Sequence, residues 1–221
     1  MSLWPYLTDP ANWSGAGGIG DLLAQHLVYT FLALLVAGLI AVPAGIAIGH
    51  TGRGDFVVAG LSNAARAIPT LGLLVLIVTI FGRELWAIVA ALAVLAIPPI
   101  LTATAAGVRG ADRGAVTAAH AMGMTDRQVI TGVELPLATP LIISGFRSAA
   151  LQVVATATVA ALAASGGLGR LVVDGQRQGP NGYPEVFAGA VLVAALAIIL
   201  EALLGGAGAL ARRRTRRGAR A

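Results

Sequence analysis

The chain is 221 residues long, 57% hydrophobic and 11% charged, with a mean hydropathy of +0.84 and a formal net charge of +5. A soluble domain is nearer one-quarter charged, so this composition belongs to a protein whose solvent is lipid and leaves little material for a soluble domain. Without cysteine it holds no disulfide, thiolate metal site or cysteine nucleophile, and its positive charge is no nucleic-acid patch, because six of fifteen arginines fall in the last ten residues and lysine is absent.

Residues 1–21 read as an extracytoplasmic or interfacial segment. They lack the basic start of a cleavable signal and carry Asp9 and Asp21, while Trp4, Tyr6 and Trp13 suit an anchor at the membrane interface. Five apolar stretches follow, at approximately 22–49, 56–81, 85–108, 137–163 and 186–210. Each has the roughly 20 residues needed to cross about 30 Å of hydrocarbon. In lipid the backbone must satisfy its own hydrogen bonds, so each stretch is predicted to be helical. Barrel strands would alternate in polarity over about ten residues, and these runs are continuously apolar. The expected fold class is all-α: a polytopic membrane protein of about five transmembrane helices, with its membrane domain over 22–210 and a basic tail over 211–221.

Arginine distribution sets the orientation. With the N-terminus outside, the inner segments carry Arg53, Arg109, Arg113, Arg127 and the six tail arginines, against Arg83, Arg170 and Arg177 outside. The N-terminus is therefore predicted outside and the C-terminus cytoplasmic, with the tail enforcing topology; binding of anionic lipid headgroups is the alternative.

Pro43, Pro69 and the pair Pro98-Pro99 lie inside apolar stretches. Each proline deletes a backbone bond and is expected to kink or break its helix, which membranes tolerate where the break lines a cavity or is buried in protein. A candidate translocation pathway thus takes in Pro69, Thr70, Pro98 and Pro99, static kinks being the alternative. Arg66, Arg147 and Glu201 join it as ionisable groups within spans, which cost several kcal/mol in lipid unless paired or wet. Their similar depth permits an ion pair between Glu201 and one arginine; the alternative is arginines snorkelling to the inner face.

The loop over 109–136 contains Ala118-Ala119-His120-Ala121-Met122-Gly123-Met124-Thr125-Asp126-Arg127-Gln128, a polar and punctuated interruption in an otherwise apolar chain. Asp112 is a candidate N-cap for a first short helix that stops at Gly123, the residue type that most easily adopts the left-handed conformation after a helix. Thr125 and Gln128 have the spacing of a capping box for a second helix, which Pro136 is expected to end. Met122, Met124, Val129, Ile130 and Val133 would form an apolar patch facing the cytoplasm. It is covered either by the protein's own helix ends or by a separate cytoplasmic protein.

This loop resembles the segment of binding-protein-dependent ABC importer permeases whose pattern is Glu-Ala-Ala, three residues, Gly, nine residues, Ile, one residue, Leu-Pro. Here Thr117-Ala118-Ala119, Gly123, Val133 and Leu135-Pro136 stand at that spacing. Thr117 replaces the usual glutamate and Val133 the usual isoleucine, so no salt bridge from the first position carries over. Arg66-Ala67-Ile68-Pro69-Thr70-Leu71-Gly72, Ile97-Pro98-Pro99-Ile100-Leu101, Val108-Arg109-Gly110 and Gly166-Gly167-Leu168-Gly169-Arg170 are similar to stretches of osmoprotectant importer permeases, which carry glycine betaine, carnitine or choline. The resemblance implies a multi-pass subunit of the bacterial cytoplasmic membrane, paired with an identical or paralogous permease. Cytoplasmic ATPase subunits that hold ATP and magnesium would drive it, and an extracytoplasmic solute-binding protein would feed it. The chain itself would bind no cofactor and catalyse no reaction.

The remaining residues fit that implication. His26, His50 and His120 are scattered without metal-ligand spacing, and neither a P-loop nor a Gly-x-Ser-x-Gly stretch occurs. The Gly-rich run from Ser165 to Arg170 reads as a tight turn on the outer side. A permease for another small solute such as an amino acid is the nearest alternative. A stand-alone secondary carrier is a more distant one, since five spans without an evident repeat argue against it.

Overall fold

Continuous apolar runs fix the secondary structure, because only a helix satisfies every backbone group inside hydrocarbon. In the computed structural model, which describes residues 4–163 and 166–218, every regular element is helical. The side chains of Asp55, Ser62, Ala65, Arg66 and residues 213–218 fall outside the description. In chain order the helices are α1 (Pro5–Thr8), α2 (Ile19–Thr51), α3 (Asp55–Ala67), α4 (Thr70–Phe81), α5 (Leu85–Arg109), α6 (Arg113–Ala121), α7 (Asp126–Val129), α8 (Leu135–Ala160), α9 (Gly169–Arg177) and α10 (Tyr183–Gly218). A π turn over Ile130–Glu134 joins α7 to α8.

Among the described residues, four segments are long and apolar enough to cross a membrane: Ile19–Thr51, Leu85–Arg109, Asp126–Ala160 and Gly179–Arg212. The sequence-based expectation of a fifth continuous span at 56–81 is not met. That stretch is divided into α3 and α4, 13 and 12 residues long, with Pro69 as the N-cap of α4 at φ −63° and ψ 111°. Pro69 cannot donate to the preceding turn, and its ring drives Ile68 out of the helical region. Of the expected kinks or breaks at Pro43 and Pro98-Pro99, none is a break, for these prolines lie inside the continuous helices α2 and α5. Pro136 also fails to end a helix. It occupies the second position of α8, directly after the π turn, whose closing bond runs from the Leu135 N–H to the Ile130 carbonyl. The wide turn accommodates a proline ring that would otherwise press on the carbonyl four residues back.

The chain forms two compact units whose boundaries fall within the long helices. One comprises the chain up to Leu35, Ile68–Leu95 and Ala150–Leu200. Its core joins Ile19, Leu22, Val154, Leu168, Leu171 and Leu196, with Tyr6 and Leu7 packed against them. The N-terminal segment is folded onto this unit: Trp13 Nε1 donates to the Leu7 carbonyl at 2.8 Å, and Trp4 meets Phe187 edge-on at 5.5 Å.

The other unit comprises Val36–Ala67, Ala96–Ala149 and the chain from Glu201. Here α5 is gripped by α2 and α8 through small residues. A Cβ on Gly45 would lie 2.7 Å from Thr104 Cβ, and one on Gly145 would lie 2.6 Å from Ala103 Cβ. Gly49 is equally close to Val108, with Cβ 2.7 Å away and the Ala105 carbonyl at 2.8 Å. Lipid is as apolar as leucine, so helices associate through such close backbone approach rather than through hydrophobic burial. The outward residues Phe31, Leu39, Ile40, Ile80, Ile198 and Leu203 are exposed and apolar, as lipid-facing positions are.

Gly49→Val places two further methyl groups where even one carbon does not fit. Overpacking of this kind costs about 1–3 kcal/mol, so the purified variant should lose several degrees of Tm in detergent. An unchanged Tm would mean that α2 and α5 are not in contact at Gly49.

Candidate functional site

The loop between α5 and α8 is built from local signals. Asp112 Oδ1 accepts from the Ala115 N–H at 2.7 Å and starts α6. At the far end Gly123 takes φ +83°, the Gly123 N–H donates to the His120 carbonyl at 2.9 Å, and the Met124 N–H donates to the Ala119 carbonyl at 3.1 Å. These two crossed bonds satisfy the last carbonyls of the helix and turn the chain sharply. Thr125 then begins α7 with a capping box: its Oγ1 accepts from the Gln128 N–H at 3.4 Å, and Gln128 Oε1 accepts from the Thr125 N–H at 2.8 Å.

The candidate coupling residues are distributed unevenly over this elbow. Thr117, Ala118, Gly123 and Pro136 are exposed, as is Met122 at 77%. Met124, Ile130, Val133 and Leu135 are half-buried, while Ala119 and Val129 are buried. The apolar patch anticipated from sequence is therefore divided. Val129 anchors the elbow to its own chain, and an exposed strip of Thr117, Ala118, Ala121 and Met122 remains on α6.

Of the candidate pathway residues, Pro69 and Thr70 are exposed at the start of α4, Pro98 is buried within α5 and Pro99 is half-buried. The Arg66 side chain lies outside the described residues. Arg147 and Glu201 come together: Arg147 Nη2 donates to Glu201 Oε1, and the pair is partly exposed on the helix surfaces. One turn beyond Glu201, Gly205 lies alongside the guanidinium; a Cβ there would make an ordinary contact 3.9 Å from Arg147 Nη1.

Two features were missed by the sequence reasoning. His50 Nδ1 lies 2.8 Å from Glu134 Oε2, joining the last turn of α2 to the π turn. In the first unit, Gln25 Oε1 accepts from the Gly167 N–H at 3.1 Å and His26 Nδ1 from the Leu168 N–H at 3.3 Å. Gly166 and Gly167, at φ +120° and +72°, let the turn lie against α2 there. The Gly-rich run supplied the second signal, but the residues that hold it are 142 positions away.

Long apolar helices, a proline-broken segment and a capped helical elbow describe an all-helical protein with the composition of a membrane protein. The chain belongs to the family described as "Binding-protein-dependent transport system inner membrane component", whose model matches residues 41–216. It is 34% identical over 183 residues to the carnitine transport permease protein OpuCB of Listeria monocytogenes, covering 82% of each chain. It is 30% identical over 188 residues to the choline transport system permease protein OpuBB of Bacillus subtilis, covering 84% of this chain and 86% of that one. The osmoprotectant import permease protein OsmY of Salmonella typhimurium is 32% identical over 182 residues, covering 81% of this chain and 76% of that one. An inward-facing structure of the MetNI methionine ABC transporter matches 86% of this chain and 96% of its own with a TM-score of 0.73; at 22% identity this establishes a shared fold. The molecule is thus an ABC importer permease subunit with osmoprotectant-transport relatives.

A charge left alone in lipid opposes insertion. Arg147→Glu and Glu201→Arg should each lower the amount of folded permease in the membrane, and the double exchange should restore it. Quantitative immunoblotting of washed membranes checks this; no recovery in the double variant would show that the two charges are not partners.

Proposed function

We propose that the chain is the pore subunit of an ATP-driven importer of compatible solutes of the glycine betaine, carnitine and choline type. The observation that carries this reading is its membership of the importer family together with similarity, over four-fifths of its length, to permeases named for those solutes. In this reading the chain sits in the bacterial cytoplasmic membrane with its N-terminus outside, as the arginine distribution favours. The segments α3 and α4 together make one crossing, interrupted at Ile68-Pro69, and bring the number of crossings to five. A second permease subunit, two ATPase subunits and an extracytoplasmic binding protein complete the machine.

The elbow of α6 and α7 is the docking element. Its exposed Thr117, Ala118, Ala121 and Met122 offer a small, shallow apolar strip, and its double capping makes it rigid. ATP-driven closure of the partner subunits moves the elbow, and the elbow moves the spans. Such transmission requires contacts that differ between the two states, and a stiff lever delivers displacement that a frayed loop would absorb. Pro69, Thr70, Pro98, Pro99 and the Arg147–Glu201 pair belong to the moving pathway, together with Arg66 by its position in the sequence.

Reconstituted with its partner ATPase and binding protein, the complex should accumulate radiolabelled glycine betaine, carnitine or choline in an ATP-dependent manner. ATP-dependent accumulation of methionine alone would assign it to amino acids, and accumulation without ATP would make it a carrier. Gly123 has open space around it, so a side chain there is opposed by backbone conformation alone. Gly123→Val, forced to φ +83°, costs about 1–3 kcal/mol of strain. It should lower uptake per ATP hydrolysed while leaving insertion intact, with Gly123→Asn milder. Wild-type uptake by the valine variant would remove the elbow from the mechanism.

A further inference from the structure

We infer that His50 and Glu134 form the strut through which the elbow acts on α2, making both positioning residues of the transport cycle; the inference rests on the ATP-driven reading above. The pair joins residues 84 positions apart. His50 lies in the last turn of the first long helix, and Glu134 ends the π turn behind α7, between Val133 and Leu135 of the family-like segment. Nδ1 and Oε2 are 2.8 Å apart, with the side chains only 18% and 7% exposed. With its proton on Nδ1, the imidazole donates to the carboxylate.

Two features of the surroundings give this bond a mechanical role. First, a neighbouring contact at this end of α2 is of a different kind: Gly49 lies against Val108 and the Ala105 carbonyl of α5 by van der Waals approach. Such packing resists compression but transmits little pull, whereas a hydrogen bond has direction and resists separation. Second, the pair borders a cavity of about 370 Å³. An open space beside the joint lets the elbow and the end of α2 shift together without displacing a packed core.

The same cavity makes the two partners unequal. Arg109 and Arg113 also line it, and Glu134 is the one acid among its lining residues. Loss of His50 leaves the Glu134 carboxylate in a cavity that Arg109 and Arg113 also line, whereas loss of Glu134 removes the acid from that wall. The Glu134 side is therefore expected to be the more sensitive to substitution.

The test uses the full complex in proteoliposomes, with ATP hydrolysis and uptake of radiolabelled glycine betaine, carnitine and choline measured on the same preparation. Glu134→Asp keeps the charge but withdraws the carboxylate by one methylene. It should retain ATPase capture and hydrolysis while uptake per ATP falls about tenfold. Glu134→Gln and His50→Asn keep an acceptor and a donor near the original atoms and should retain at least about half the coupling. Glu134→Leu and His50→Leu should both uncouple, Glu134→Leu more strongly. The aspartate and amide variants carry the comparison if a leucine variant does not insert. The strut is overturned if Glu134→Asp couples like wild type, or if the amide variants are as uncoupled as Glu134→Asp. A wild-type complex that hydrolyses ATP without uptake, or captures no ATPase, overturns the ATP-driven reading and the strut with it. Normal wild-type coupling with indifferent variants overturns the strut alone.

Discussion

In hydrocarbon a helix gains nothing by hiding leucine from its surroundings, so something other than apolar burial must hold the helices of this protein together. In the unit that carries the elbow, the answer is the removal of side chains. Gly45 and Gly49 bring α2 onto Thr104 and Val108 of α5, and Gly145 brings α8 onto Ala103 and the Pro99 carbonyl. The consequence is visible in α5, where 61% of the apolar stretch is buried against 22% or less in the other three long helices. It also explains why Pro98 and Pro99 leave α5 intact. Each deletes a backbone donor, but the affected turn is enclosed by neighbouring helices, and a kink would have to displace α8 at Gly145. Pro69 is exposed at its junction, and there the helix ends, whereas Pro43, also exposed, is carried within α2.

Close apolar packing of this kind specifies distance and leaves direction to polar pairs. Two such pairs among the described residues of the elbow-bearing unit differ in character. Arg147 and Glu201 face each other on partly exposed helix surfaces, where each neutralises a charge that lipid would otherwise oppose. His50 and Glu134 are more deeply enclosed and border a polar cavity. The first pair makes a span acceptable to the membrane. The second ties a span to a segment outside the apolar stretches, which is the kind of link that a driven movement requires.

Local signals were legible in the sequence and long-range ones were not. Asp112, Gly123, Thr125 and Gln128 act on backbone groups within four residues, and each makes the cap its spacing indicated. The all-helical class followed from apolar length alone, and the ion pair of Glu201 with an arginine from the cost of charge in lipid. Proline was read less well, because its effect depends on packing that sequence does not display. Pro43 and Pro98-Pro99 are carried inside helices, while Pro136 is absorbed by a π turn that no local rule anticipates. The burial of Val129 and the His50–Glu134 contact depend on which helix end lies beside the elbow. Residues 84 apart share no periodicity that could have announced it.

Gly123 shows how a lever can be stiff where its surface is plain. Space around it is open, so the glycine is required by the backbone and not by a neighbour. Its left-handed turn closes α6 with two crossed hydrogen bonds, and α7 begins two residues later on its own capping box. With the polar ends of both short helices satisfied internally, the elbow needs little from a partner to hold its shape, and Val129 fixes one side of it to the chain. An element stabilised in this way can offer Met122 and its small neighbours to a partner without folding upon contact, so binding energy need not be spent on ordering. The same self-sufficiency means that force applied at Met122 reaches the π turn as displacement of a body. Where that displacement goes next is decided by the bond at Glu134.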